Sequence, residues 1–185
     1  LEGNDVLYGE DGNDYLHGGT GSDNMYGGHG DDRYIVDSSS VRVVEYSSQG
    51  IDPVYSYEYS YTLTSNVENL YMYGSGYRGN GNSSNNYILG NSSNNYIDGK
   101  AGNDQLNGNS GNDTLIGGAG NDTLIGGSGR DTFVIDDSLN ITPGVARIED
   151  FRRGDDRLRV YGSSNDYSIS YSRGDSFIKS WRELG

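Results

Sequence analysis

Gly117-Gly118-Ala119-Gly120-Asn121-Asp122-Thr123-Leu124-Ile125 reads as six turn residues followed by three strand residues. Glycine supplies the backbone angles that a tight turn needs and that side-chain-bearing residues resist. Alternation along the strand turns Leu124 to one side and Thr123 and Ile125 to the other. One such unit offers a single apolar residue for burial and cannot fold alone. Stacked units make a continuous inner column.

The same nine-residue frame continues on both sides of this stretch. One block covers 81–134 without a slip, as units 81–89, 90–98, 99–107, 108–116, 117–125 and 126–134. An earlier block covers 1–35, as a partial unit at 1–8 followed by 9–17, 18–26 and 27–35. The eighth position carries Leu7, Leu16, Met25, Tyr34, Ile88, Ile97, Leu106, Leu115, Leu124 and Phe133. In a chain that is 32% hydrophobic, an unbroken apolar run at one register has odds of roughly one in 10⁵. The period is therefore a pattern and not a composition bias.

Composition alone points elsewhere. Among 185 residues, Leu, Ile, Val and Phe number 36, against 30 Gly, 24 Ser, 19 Asn and a net charge of −14. That balance lies on the disordered side, with too little apolar surface to offset the entropy of ordering the chain. A helical protein is excluded by the Gly, Asn, Ser and Asp content and by only three Ala. A pI near 4.3 leaves no basic patch for nucleic acid or anionic lipid, so metal cations are the natural counter-charge. No apolar run approaches the roughly 18 residues of a membrane span, so membrane insertion by this chain is not expected. The chain opens in mid-pattern at Leu1-Glu2-Gly3 and reads as a fragment of something longer. With no Cys, disulfides and thiol chemistry are absent together.

Asp5, Asp14, Asp23, Asp32, Asp104, Asp113, Asp122 and Asp131 occupy the sixth position of their units. Asp favours Gly-rich turns on its own account, but turn preference does not enforce a nine-residue register. Stacking would set these carboxylates in rows, and closely spaced like charges oppose folding unless something bridges them. A hard cation that takes six to eight oxygens, from carboxylates and turn carbonyls, fits calcium, whereas magnesium keeps its waters and a stricter octahedron. Zinc or copper would want His or Cys, and His17 and His29 stand at non-equivalent positions.

These units resemble the repeats-in-toxin (RTX) family, the haemolysin-type calcium-binding nonapeptide. The resemblance implies an all-β chain folded as a parallel β-roll, a β-solenoid with two units per turn and several Ca²⁺ ions, each between a unit and the next but one. Carried onto this chain it pairs Asp5 with Asp23, Asp14 with Asp32, Asp104 with Asp122 and Asp113 with Asp131, turn carbonyls completing each shell. It extends to Asp32-Arg33-Tyr34-Ile35-Val36-Asp37, Val43-Val44-Glu45, Tyr61-Thr62-Leu63 and Val67-Glu68-Asn69-Leu70, which look like the family's linker between repeat blocks. Arg147-Ile148-Glu149-Asp150-Phe151 and Gly154-Asp155-Asp156-Arg157-Leu158 look like its closing segment. The organisation implied is a first repeat block at 1–35, a Tyr-rich β linker continuing the solenoid at 36–80, a second block at 81–137 and a C-terminal cap at 138–185. Strands in the cap are expected at 146–150, 157–161, 167–171 and 176–181, the last covering an open solenoid end. The family also places a ligand at Asp150, although its usual companion falls at about Ala146, which cannot ligate.

Units 81–89 and 90–98 depart from the pattern. They carry Asn82 and Asn91 second, Ser84 and Ser93 fourth, and Asn86 and Asn95 in place of Asp. An amide offers one neutral oxygen and its own donors, so these turns can stack through amide hydrogen bonds. Calcium is expected to be weak or absent at Asn86 and Asn95.

Tyrosine is abundant, at 17. Tyr55, Tyr57, Tyr59 and Tyr61 are expected on one face of a single strand and Tyr71 and Tyr73 on another, with cross-strand packing as the first use and carbohydrate or a neighbouring subunit as the alternative. There is no His-Glu-x-x-His, Gly-x-Ser-x-Gly or Walker loop, and no enzyme is expected in this chain. The resemblance implies a module exported unfolded through a type I channel, folding on extracellular Ca²⁺. The leading expectation is a structural or adhesive surface or extracellular-matrix component, self-associating into a surface layer or filament. The alternative is the C-terminal secretion and folding module of an extracellular protease, lipase or alginate epimerase, or of a pore-forming toxin.

Overall fold

The computed structural model describes residues 2–136, 145–161, 167–172 and 175–180. It is an all-β solenoid of about 7 parallel turns. On one face lies a ten-stranded sheet. Its parallel members are β2 (Tyr15–His17), β4 (Arg33–Val36), β6 (Pro53–Ser56), β8 (Asn69–Met72), β10 (Tyr87–Leu89), β12 (Gln105–Asn107), β14 (Asp122–Ile125) and β16 (Val145–Ile148). Antiparallel β19 (Asp175–Ser180) and β18 (Tyr167–Ser172) finish it. The other face carries β1 (Val6–Asp11), β3 (Asn24–His29) and β5 (Arg42–Val44) in one sheet. A second sheet there holds β7 (Ser60–Thr62), β9 (Arg78–Asn80), β11 (Tyr96–Asp98), β13 (Thr114–Ile116), β15 (Thr132–Asp136) and β17 (Arg157–Tyr161).

Within the repeat blocks the parallel strands pair two units apart. Ile88 aligns with Leu106 and Leu106 with Leu124, while Ile97 aligns with Leu115 and Leu115 with Phe133. Between strands the fourth-position glycines carry the turn. Gly129 lies at φ +137°, where L side chains are strained, and a Cβ there would collide with the Gly111 carbonyl of the turn beneath.

The eighth-position residues form the core. Met25, Tyr34, Ile88, Ile97, Leu106, Leu115, Leu124 and Phe133 are fully buried, Leu16 nearly so, and Leu7 in the first turn is half-buried. Between the blocks the column continues with uneven spacing through Val43, Val54 and Leu70. Gly79 takes an inward place between Tyr61 and Ile97, where a Cβ would sit 2.8 Å from Met72 Sδ, so the methionine fills the space. A buried Leu or Ile contributes about 1.5–3 kcal/mol, whereas ordering backbone costs about 1–2 kcal/mol per residue. One inward apolar residue per nine cannot order a unit by itself, so the turns must supply cohesion of their own.

One expectation is corrected. Tyr55, Tyr57, Tyr59 and Tyr61 do not share a face of one strand, because β6 ends at Ser56 and the chain turns a corner before β7 begins at Ser60. The corner is set by stacking, the Tyr57 N–H donating to the Val36 carbonyl beneath it at 2.8 Å. Tyr61 consequently points into the core while Tyr57 and Tyr59 face outward. In the C-terminal region the strand expected at 146–150 stops at Ile148, and those expected at 157–161, 167–171 and 176–181 correspond to β17, β18 and β19. The cap's start near Ser138 and Trp181 lie outside the described residues.

The inward-outward alternation predicts that Leu115→Ala lowers stability in saturating calcium by about 2–5 kcal/mol, while outward Thr114→Ala changes it by about 0.5 kcal/mol or less. Urea denaturation followed by circular dichroism measures both, and equal losses would contradict the register.

Candidate metal centre

Each sixth-position residue stands two places before an inward apolar residue, as Asp113 does before Leu115. Strand alternation therefore turns its carboxylate into the bend of the roll. There one oxygen accepts the backbone N–H of the sixth residue eighteen positions earlier. Asp5 N donates to Asp23 Oδ1 at 2.9 Å, Asp14 N to Asp32 Oδ1 at 2.7 Å, Asp104 N to Asp122 Oδ1 at 3.0 Å and Asp113 N to Asp131 Oδ1 at 2.9 Å. The four pairs implied by the repeat are thus stacked neighbours.

The second oxygen of these carboxylates has a different fate. Asp5, Asp14, Asp23, Asp32, Asp104, Asp113 and Asp131 each keep Oδ2 buried without a hydrogen-bond partner. At Gly108, the first position of its unit, a Cβ would collide with Asp113 Oδ2 and lie 2.7 Å from the Gly126 carbonyl. Gly99 has the same relation to Asp104 Oδ2 and the Gly117 carbonyl. The first glycine leaves room for carboxylate and carbonyl oxygens to converge, a donor set suited to a hard divalent cation such as calcium.

Where the pattern departs, nitrogen donors take over. Asn86 accepts Asn82 N at 2.8 Å and donates Nδ2 to the Glu68 carbonyl at 3.1 Å and to Asn82 Oδ1 at 3.2 Å. Asn95 accepts Asn91 N and donates Nδ2 to the Gly76 carbonyl at 2.9 Å. At the last turn of one row, Arg152 Nη2 donates to the carbonyls of Gly127 at 2.7 Å and Gly129 at 2.8 Å and lies 3.5 Å from Asp131 Oδ2. Asp150 accepts Gly126 N at 2.8 Å and Gly127 N at 2.6 Å, one with each oxygen. Ala146 aligns with Asp122, so the sixth position of that final turn holds no carboxylate.

The ladder also includes residues that the glycine pattern does not reveal. Asp32 N donates to Asp52 Oδ1 at 2.8 Å, Asp52 N to Glu68 Oε2 at 3.0 Å and Asp131 N to Asp156 Oδ1 at 3.0 Å. Their signal in the sequence is an acid two places before an inward apolar residue: Asp52 before Val54, Glu68 before Leu70 and Asp156 before Leu158.

The RTX calcium-binding nonapeptide repeat family matches residues 1–34, 78–106 and 98–133. No curated protein matches the chain.

Burial pushes the Asp104 and Asp113 carboxyls up to about 7 and Asp122 to about 6, and the accepted N–H of each offsets this in part. A carboxyl whose folded pKa is raised stabilises the fold fully below its ordinary value of about 3.9 and loses that contribution as pH rises through about 6–7. In chelator, far-ultraviolet circular dichroism is therefore expected to show more β structure at about pH 4.5 than at about pH 8. A signal that is flat with pH, or grows as pH rises, would contradict this.

Proposed function

From a chain whose repeats belong to the RTX calcium-binding nonapeptide repeat family, we propose a module that folds on extracellular Ca²⁺ and serves as a structural or adhesive component of a bacterial surface or extracellular matrix. RTX repeats are calcium-binding and are a module of secreted bacterial proteins. The observation that supports calcium-driven folding is the set of buried carboxylate oxygens without partners, repeated turn after turn. The ligand pairs are Asp5 with Asp23, Asp14 with Asp32, Asp104 with Asp122 and Asp113 with Asp131. Turn carbonyls complete each shell. The Asn86 and Asn95 turns, already satisfied by their own amides, bind none. Asp150, with both oxygens on backbone N–H groups, serves as a cap of the final turn rather than as a ligand.

The structural role is supported by the outer surface. Tyr55 stacks on Tyr71 at 4.8 Å between ring centroids, Tyr57 on Tyr73 at 5.4 Å and Tyr59 on Tyr77 at 5.2 Å. Tyr57, Tyr59, Tyr73 and Tyr77 are all exposed. Flat aromatic ladders of this kind bury large area at low entropic cost when two copies or a saccharide meet them.

Sedimentation velocity across a calcium titration tests the structural role. The chain is expected to form reversible oligomers only when calcium is present. Asp113→Ala should weaken or remove calcium bound per folded chain, counted by equilibrium dialysis, and Asn86→Ala should scarcely change that count. A calcium-loaded chain that stays monomeric would contradict the structural role, and equal losses in the two variants would contradict the ligand assignment.

A further inference from the structure

We propose that Asp32, Glu45 and Asp52 form a calcium site of their own where the first repeat block meets the linker, a site no nonapeptide pairing provides. The three carboxylates are 0%, 6% and 1% exposed, and one ligand oxygen from each lies within 4.8 Å of the others. Opposite oxygens around a calcium ion are about 4.6–5.2 Å apart, so three oxygens this close to one another can share a single ion.

Each of the three carboxylates gives one oxygen to the fold, and two of them keep a second one buried and open. Asp32 Oδ1 accepts Asp14 N, Asp52 Oδ1 accepts Asp32 N and Glu45 Oε1 accepts the Tyr34 hydroxyl. Asp32 Oδ2 and Glu45 Oε2 are buried and have no hydrogen-bond partner. A Cβ on Gly27 would collide with Asp32 Oδ2, the Tyr34 hydroxyl and Glu45 Oε1. The absent side chain at 27 is what lets the three groups meet. The ion pairs among the described residues involve none of the three carboxylates. Three buried negative charges without a basic partner call for a cation, and an all-oxygen set selects a hard one.

The position gives the site a purpose. From Asp14 to Asp32 the row advances 18 residues, but from Asp32 to Asp52 it advances 20 and from Asp52 to Glu68 it advances 16. The turn that breaks the period lacks the doubled glycine and keeps only Gly50, and Glu45, two places beyond inward Val43, reaches across to close it. A cation here carries the stack over the irregular step.

This inference goes beyond the function proposed above and rests on Glu45 and Asp52, which take no part in the nonapeptide pairs. Calcium bound per chain at saturation, counted by equilibrium dialysis on full chains that circular dichroism shows to be folded, tests it. Glu45→Gln is expected to bind one ion fewer than the unaltered chain. An unchanged count and affinity would overturn the site. If Glu45→Gln does not fold, Glu45→Asp, which keeps the charge on a shorter arm, should retain the count but hold one ion about tenfold more weakly; an unchanged titration would overturn the site. An unaltered chain that binds a single ion, lost in Glu45→Gln, would uphold this site while refuting the nonapeptide pairs. Several ions, all retained in Glu45→Gln, would do the reverse.

Discussion

A buried carboxylate that accepts a backbone N–H with one oxygen and turns the other toward the neighbouring turn is the constraint on which this roll depends. The first oxygen fixes the stacking distance, and a hydrogen bond to a charged acceptor is worth about 1.5–3 kcal/mol. The second oxygen works against the fold unless a positive charge meets it, because burial raises the cost of ionisation, as at Asp32, Asp104, Asp113 and Asp131. With a net charge of −14 and a one-residue-wide apolar column, the chain has no surplus to absorb that cost. In the proposed reading calcium converts the opposition into cohesion, and metal binding and folding become one process.

The exceptions follow the same rule. At Asn86 and Asn95 the amide oxygen takes the place of the open one beside Gly81 and Gly90 and accepts an N–H of its own turn, while an amide N–H replaces the stacking oxygen and reaches a carbonyl of the linker. At the end of the row that runs through Asn95 and Asp113, Arg152 brings a guanidinium to two turn carbonyls and to Asp131. Carbonyl oxygens that converge on a turn are served by whichever donor or cation the local sequence supplies. In the proposed reading the roll is a single architecture with cation-dependent and cation-independent turns side by side.

Much of the fold was legible in the sequence because one residue in nine has to face inward, and Leu115, Leu124 and Ile97 announce it. The sixth-position Asp was legible for a related reason, lying two places earlier on the same side. Asp52, Glu68 and Asp156 were not, because their turns lack the doubled glycine that marks a unit, and only Gly50 and Gly154 remain, two places before Asp52 and Asp156, while the carboxylate geometry persists. Glu45 was visible only as part of a linker resemblance; its role depends on Gly27 and Tyr34, which meet it through the stacking of different turns. The tyrosines misled in one place. Alternation at Tyr55, Tyr57, Tyr59 and Tyr61 looks like one strand, but a flattened coil allows only a few residues per face, and the corner reverses the direction of Tyr61.

Small-angle X-ray scattering at neutral pH tests the central claim most directly, because it reports the dimensions of the whole chain. In chelator the radius of gyration should approach the roughly 46 Å expected for an unfolded chain of this length, and with millimolar calcium it should contract toward about 16 Å, enlarged somewhat by the elongated shape. A chain equally compact with and without calcium would contradict the dependence of the roll on its cations.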